Sequence, residues 1–86
     1  GLLKRWLEMN KPEQIWVADV VDEANRLLDS RDLYIGPSYF MDKLLDDQWV
    51  SLIWKHSIIP YVREQLFGQG ERISEFDLET LKDNIG

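Results

Sequence analysis

The sequence contains no cysteine, and this absence excludes several kinds of chemistry. Without a thiol the chain forms no disulfide, has no cysteine nucleophile and offers a metal ion no thiolate. It also lacks a long apolar run, since no stretch approaches the ~20 residues that cross a bilayer, and no signal-peptide hydrophobic region opens it. We therefore predict a soluble, cytoplasmic protein that makes no membrane contact.

Positive charge is also scarce, because 10 Lys and Arg stand against 16 Asp and Glu, for a formal net charge of −6. Proteins that bind nucleic acid neutralise its phosphates with clustered Lys and Arg. The charge balance therefore predicts no direct nucleic-acid contact.

Catalytic motifs are missing as well. The five glycines do not fit the G-x-x-x-x-G-K-[ST] phosphate loop, and Gly68-Gln69-Gly70 supplies only the first half of G-x-G-x-x-G. The single histidine, His56, has no H-E-x-x-H partner, so we interpret it as a surface or helix-end residue. Paired carboxylates such as Asp46-Asp47 are typical of helix caps. We predict no catalytic residue and no metal site, and hence no enzyme activity for this chain by itself.

What the chain does contain is enough for one small core. Of its 86 residues, 44% are hydrophobic and 30% are charged, which is typical of a globular domain. We expect the aromatic side chains to dominate that core. Trp6, Trp16 and Trp54 lie on or beside apolar stripes and are predicted core residues, whereas Trp49 follows polar residues and is the better candidate for an interface.

Apolar residues recur with the 3.6-residue period of α-helices, and the strict alternation of strands is absent. A first short helix ends between Asn10 and Pro12. A second helix covers about residues 12–28, with Pro12 in its first turn. The predicted stripes of these two helices are Leu2, Leu3, Trp6 and Leu7, followed by Val17, Val20, Val21, Ala24, Leu27 and Leu28.

Residues 29–36 read as an extended connection that closes with Gly36. Pro37 then opens a short helix, since proline suits a first helical turn. The apolar residues assigned to this helix are Tyr39, Phe40, Met41, Leu44 and Leu45.

Either Asp46 or Asp47 is expected to cap the next helix. Pro60 lies inside its pattern, so the helix either kinks near His56 or restarts with Ser57 as its N-cap. The predicted stripe is Val50, Ile53, Trp54, Ser57, Ile58 and Tyr61.

Residues 68–70 end that helix, and the box Ser74-Glu75-Phe76-Asp77 predicts the start of the last one. Its apolar residues are Phe76, Leu78, Leu81 and Ile85. The fold class predicted is all-α, a small bundle of four or five helices over residues 1–86 without a sheet.

Three blocks carry a more specific signal: residues 32–41 read D-L-Y-I-G-P-S-Y-F-M, residues 52–54 read L-I-W, and residues 58–67 read I-I-P-Y-V-R-E-Q-L-F. In order and spacing they resemble the C-terminal part of the McrB-like AAA+ NTPases, the methylcytosine-specific restriction family. There the runs read I-G-H-S-Y-F-M, I-W and I-x-P-x-x-x-E-x-F. Asn25 and Leu28 fit the N-x-x-L usually found upstream, and the resemblance covers about residues 15–67.

The resemblance implies the helical lid of an AAA+ protein, cut from a longer chain. In such proteins an α/β core subdomain carries Walker A, Walker B and the arginine finger, and the lid closes over the nucleotide. The implied cofactor is ATP or GTP with Mg²⁺ in the full-length protein, with none bound by this fragment alone. The implied partners are the AAA+ core subdomain of the same chain, neighbouring subunits of a ring, and a McrC-like nuclease. Recognition of modified DNA belongs to a separate domain in these proteins.

The motif match implies that Gly36, Ser38 and Tyr39 face the nucleotide. The family histidine between Gly36 and Ser38 is Pro37 here, which removes an imidazole and a backbone N–H donor. Many AAA+ lids carry a sensor-2 arginine, which reaches the γ-phosphate of the nucleotide. Its expected position in this sequence is near residues 36–38, which contain no arginine, and Arg31 precedes the turn, so we assign no sensor-2 arginine. The alternative stays open that Ser38 caps the helix and Tyr39 packs.

A second hypothesis for the whole chain is a free-standing helical protein–protein interaction domain, whose exposed aromatic residues bind a partner helix. A small enzyme is the third hypothesis, and the missing constellation of reactive side chains argues against it.

Overall fold

The computed structural model describes residues 1–29 and 34–86, and within these ranges it contains α-helices and tighter or wider helical turns but no strand. The predicted all-α class is confirmed. The α-helices are α1 (Leu2–Asn10), α2 (Trp16–Leu28), α3 (Asp47–Ile53), α4 (Ile59–Gln65) and α5 (Leu78–Ile85). Three 3-10 segments, Pro12–Gln14, Pro37–Phe40 and Gly70–Phe76, and one π-helical turn, Trp54–Ile58, complete the described structure.

The first helix agrees with its predicted stripe in part. Leu3 and Leu7 are buried, whereas Leu2 is largely exposed. The helix ends at Asn10, whose side-chain amide donates a hydrogen bond to the Trp6 carbonyl at 3.0 Å. That bond folds the Asn10 side chain back onto the last turn of the helix.

The second helix begins later than predicted. Pro12 opens a separate 3-10 turn, and the α-helix starts only at Trp16. It ends at Leu28, and its C-cap Asp29 is a left-handed residue with φ 47° whose N–H donates to the Asn25 carbonyl at 3.1 Å. Its buried face comprises Val17, Ala18, Val20, Val21, Ala24 and Leu28.

The predicted helix after Pro37 is shorter than its sequence pattern. The 3-10 segment stops at Phe40, and Asp42 then forms a tight turn in which its Oδ1 accepts the Leu44 N–H at 2.8 Å. Because this turn replaces a helical face, Leu45 is buried while Leu44 is exposed. The prediction of one helical stripe through Leu44 is wrong.

The long central helix runs through α3, the π turn and α4. Asp46 caps it as predicted, since its Oδ1 accepts the Trp49 N–H at 2.7 Å. Ahead of Pro60 the helix widens, with the Ile59 N–H donating to the Trp54 carbonyl five residues back. The predicted disturbance near His56 therefore takes the form of a π turn.

The alternative of a restart capped by Ser57 is wrong, because Ser57 lies inside the π turn and caps nothing. The buried residues along the central helix recur at every fourth position: Val50, Trp54, Ile58, Val62 and Leu66.

The start of the last helix also differs from the prediction. Ser74 lies within the 3-10 segment, and α5 begins at Leu78 with Asp77 at its N-cap position and no side-chain capping bond. The capping box is not formed. A physical reason is the Phe76 carbonyl, which accepts the Trp54 Nε1–H at 2.7 Å and so is turned toward the core at this point of the chain.

The core lies where α2 packs on α1 and α5 and where α4 packs on the segment Gly70–Phe76. Trp54 is buried as predicted, Trp6 and Trp16 are half-buried against the core, and Trp49 is exposed. The buried hydrophobic residues are Leu3, Leu7, Val17, Ala18, Val20, Val21, Ala24, Leu28, Ile35, Phe40, Leu45, Val50, Trp54, Ile58, Val62, Leu66, Phe76 and Leu81.

None of the helices within 1–29 and 34–86 has both the length and the apolar character that a bilayer crossing demands. The same ranges contain no group of three or more Asp, Glu or His side chains arranged to hold a metal ion.

Candidate functional site

The predicted site residues lie in one short turn, residues 36–39, which we call the exposed turn. It begins directly after Ile35, which is buried. The side-chain amide of Asn25 binds both backbone polar groups of Ile35: Asn25 Oδ1 accepts the Ile35 N–H at 2.5 Å, and Asn25 Nδ2 donates to the Ile35 carbonyl at 3.1 Å. These two bonds fix the start of the exposed turn against α2.

The end of the exposed turn is fixed by Phe40. This residue is fully buried, and its ring lies 6.0 Å from the ring of Trp54. Trp54 is in turn hydrogen-bonded to the Phe76 carbonyl. The exposed turn therefore lies between two buried anchors, one held by α2 and the other by the central helix.

Between these anchors the chain presents its polar groups to solvent. Gly36 has extended backbone, with φ −74° and ψ 162°, and a Cβ built on it would meet nothing within 4 Å. Glycine is thus not required by conformation here, but the space beside it is open. Ser38 and Tyr39 follow in the 3-10 segment, and both are exposed, Tyr39 by 44%.

The two alternatives for Ser38 and Tyr39 can be compared with this geometry. Gly36, not Ser38, occupies the N-cap position of the 3-10 segment, and no side chain caps it. The ring of Tyr39 lies 6.4 Å from that of Phe40, so the ring packs on its neighbour while much of its surface stays accessible. The structure therefore gives the capping alternative no support and the packing alternative partial support. A nucleotide contact by these residues stays a prediction.

A small cleft of about 140 Å³ adjoins the exposed turn. It lies between the beginning of α1, the middle of α2 and the residues Tyr34 to Pro37. Lys4 and Asp22 place one charge of each sign on its wall, and the exposed side chains of Leu2 and Tyr34 lie at it. Of the exposed turn, Pro37 lines this cleft, whereas Ser38 and Tyr39 do not.

A larger groove, about 670 Å³, lies elsewhere, between the central helix and the start of α5. Its walls carry Lys55 and Arg63 on one side and Asp77 and Glu79 on the other. None of the predicted site residues lines it.

The family model described as McrB, alpha-helical lid domain, matches residues 16–74. The chain belongs to this family. The match extends from the first residue of α2 into the 3-10 segment Gly70–Phe76, and it includes the exposed turn. Comparisons with curated proteins and with solved structures gave no significant match. The McrB-like lid predicted from the three sequence blocks is thus confirmed.

Two arginines of this lid domain bear on its arrangement, Arg31 by its place in the sequence and Arg72 by its contacts. Arg31, with Ser30, Asp32 and Leu33, lies outside the described residues, so the structure does not bear on its place before the exposed turn. Arg72 is described: its guanidinium donates to the Leu27 carbonyl at 2.8 Å and to Gln69 Oε1 at 3.1 Å. Arg72 therefore holds the last turn of α2 against the segment Gly70–Phe76.

Two residues that shape the edge of the lid were given no role by sequence reasoning. Asn25 matched the N-x-x-L pattern, but nothing local showed that its amide reaches a backbone ten residues on. Arg72 lies 45 residues from its acceptor Leu27, and no sequence signal points to that contact.

Proposed function

We propose that this lid closes over a nucleotide bound to the AAA+ core subdomain of the same, longer chain, and that Gly36, Ser38 and Tyr39 face that nucleotide. The observation that carries the proposal is the exposed turn, in which two hydroxyl groups lie at the surface between two buried anchors. Residues 1–86 would then be a single lid domain within a larger protein.

The proposed ligand is ATP or GTP with Mg²⁺. A hydroxyl donates to or accepts from the polar atoms of a nucleotide, so the Ser38 and Tyr39 side chains fit such a ligand. The open space beside Gly36 would let a ligand approach the backbone. We assign the phosphates, the Mg²⁺ and the bond cleavage to the core subdomain, and only contact and enclosure to the lid.

The anchoring of the exposed turn matters for this role. A group that is already held in its binding geometry loses less conformational entropy when the ligand binds. Ile35 and Phe40 are buried on either side of the exposed turn, so Ser38 and Tyr39 start from a fixed backbone.

We further propose that the full-length protein works in the cytoplasm as a ring, in which the lid transmits the state of the nucleotide to neighbouring subunits and so drives a McrC-like nuclease. Trp49 and Leu52, three residues apart on α3, are about half exposed and suit contact with another protein. The same pair supports the alternative of a helical interaction domain, which would bind its partner without any nucleotide.

The experiment uses the longer NTPase that carries this lid. Ser38→Ala and Tyr39→Phe each remove one hydroxyl and should lower kcat/KM for the nucleotide while the melting temperature stays within a few degrees of wild type. Ser51→Ala is the matched control, since Ser51 is exposed on α3 and, among the described residues, its Oγ bonds the Asp47 carbonyl alone, at 3.2 Å.

Unchanged kinetics in both variants would withdraw Ser38 and Tyr39 from the site. A lower melting temperature with unchanged turnover would instead give the two hydroxyls a structural role. A protein that assembles with its partner equally well with and without ATP or GTP would favour the interaction domain.

A further inference from the structure

We infer that Asn25 is a positioning residue for the exposed turn, fixing through Ile35 the place at which Ser38 and Tyr39 are presented; this inference rests on the proposed function. The observation is the pair of hydrogen bonds between the Asn25 amide and the Ile35 backbone, at 2.5 and 3.1 Å. Asn25 would not touch the nucleotide and so is not a catalytic residue.

The chemistry of the contact restricts which residue can make it. The planar amide of asparagine carries an acceptor and a donor side by side, so it pairs with both the N–H and the carbonyl of one residue as a neighbouring strand would. At neutral pH aspartate lacks the donor, and serine carries its donor and its acceptor on one oxygen, so neither reproduces the two groups side by side. Both bonds are partly buried, where an unpaired backbone group is costly.

The position of the contact makes it effective. Asn25 lies in the last turn of α2, where its own carbonyl accepts the Asp29 N–H. Arg72 holds the adjacent Leu27 carbonyl. One end of the contact is therefore a fixed helix, and the other end is the residue immediately before Gly36. A displacement of Ile35 would move the exposed turn with it.

The first test measures amide hydrogen exchange in the 86-residue chain. In Asn25→Leu both bonds are lost, so the Ile35 amide should exchange about tenfold faster or more, whereas Val62 in the core changes less. Asn10→Leu is the matched control, because the Asn10 side chain bonds the Trp6 carbonyl at the end of α1, far along the chain from Ile35. Equal exchange at Ile35 in wild type and Asn25→Leu would overturn the inference.

Asn25→Asp supplies a signature that loss of packing alone would not give. The carboxylate still accepts the Ile35 N–H, but its second oxygen faces the Ile35 carbonyl oxygen. Once protonated, that oxygen can donate, as the amide did. Protection of Ile35 should therefore rise as the pH falls through the pKa of the introduced carboxyl. Among the residues that the structure describes, the ionisable groups lining the cleft beside Asn25 are the Gly1 amino group, Lys4, Asp22 and Tyr34, and Asp29 follows at the C-cap of α2. Wild type carries all of them and serves as the reference.

The second test uses the longer NTPase and separates the two proposals. Asn25→Leu should raise the nucleotide KM as Ser38→Ala and Tyr39→Phe do. When Asn25→Leu is combined with the two hydroxyl variants, KM should rise little further, because all three substitutions act on the contact between the exposed turn and the nucleotide. If the hydroxyl variants impair the enzyme and Asn25→Leu does not, the positioning role is overturned and the proposed function stands. If neither hydroxyl variant has an effect, the proposed nucleotide contact fails, and the positioning role fails with it even where Ile35 exchange responds to Asn25.

Discussion

Trp54→Phe is the substitution that most directly tests how the lid is held together. Trp54 is only 2% exposed, its Nε1–H donates to the Phe76 carbonyl at 2.7 Å, and its ring lies 6.0 Å from that of Phe40. Phenylalanine keeps an aromatic ring but removes the N–H donor and part of the ring system. The Phe76 carbonyl would then be buried without its donor.

The expected loss follows from two terms. Leaving a buried acceptor unsatisfied costs roughly 1–3 kcal/mol. The void left by the smaller ring costs about 1 kcal/mol more. The sum of about 2–4 kcal/mol is a large part of the total, since a chain of this length is stable by roughly 4–13 kcal/mol.

The assay is urea unfolding followed by far-ultraviolet circular dichroism. With an m value of about 1 kcal/mol per molar urea, the midpoint of Trp54→Phe should fall by roughly 2 M or more. Trp49→Phe is the matched control, because Trp49 is about half exposed, and its free energy of unfolding should stay within about 0.5 kcal/mol of wild type. Equal losses in the two variants would refute the argument that the Trp54–Phe76 hydrogen bond stabilises the fold.

Three further predictions follow from the described contacts. Asp46→Ala removes the N-cap of the central helix and should lower the free energy of unfolding by about 1 kcal/mol. Ser74→Ala, in the capping box that does not form, should change that free energy by less than about 0.5 kcal/mol, and urea unfolding midpoints compare the two variants. Gly68→Ala should lower the free energy of unfolding by about 1 kcal/mol, because Gly68 has φ +86°. Gly70 has no positive φ, so Gly70→Ala should be neutral or slightly stabilising. A reversal of this order in thermal melts would contradict the backbone argument. The isolated 86-residue chain should not hydrolyse ATP or GTP in a phosphate-release assay, and calorimetry should show a dissociation constant of about millimolar or weaker for either nucleotide. Turnover by a preparation free of other ATPases would contradict this prediction.

The existence of the helices could be predicted from the sequence because their apolar periods are local. The stripe from Val17 to Leu28 and the cap at Asp46 depend on residues within a few positions of one another, and both are present in the structure. Two local turns, at Pro12 and at Asp42, altered predicted helices, and at the last helix a distant contact competes with a local pattern. The box at Ser74 gives way to a 3-10 segment that presents the Phe76 carbonyl to Trp54, 22 residues away.

The sequence motif located the candidate site, but it did not identify the residue that holds the site in place. Gly36, Ser38 and Tyr39 stand together in the sequence and together on one exposed turn. The contact from Asn25 to Ile35 joins a side chain to a backbone across ten residues, and no periodicity records such a pair. Sequence reasoning therefore found the residues offered to solvent but not the residue that holds them in place.

The π turn before Pro60 determines which residues of the central helix face the core. Buried residues recur there every four positions from Val50 to Leu66, but an α-helix turns about 100° per residue, so each step of four overshoots by about 40°. Over four steps the buried line would rotate by about 160°, which is wider than an apolar stripe of about 100°. One widened turn accommodates an additional residue and removes about 100° of that rotation, so Val62 and Leu66 still face the core. A relative with an uninterrupted α-helix should therefore have one residue fewer between the positions of Trp54 and Val62, and an alignment of lid sequences should show a single-residue gap there.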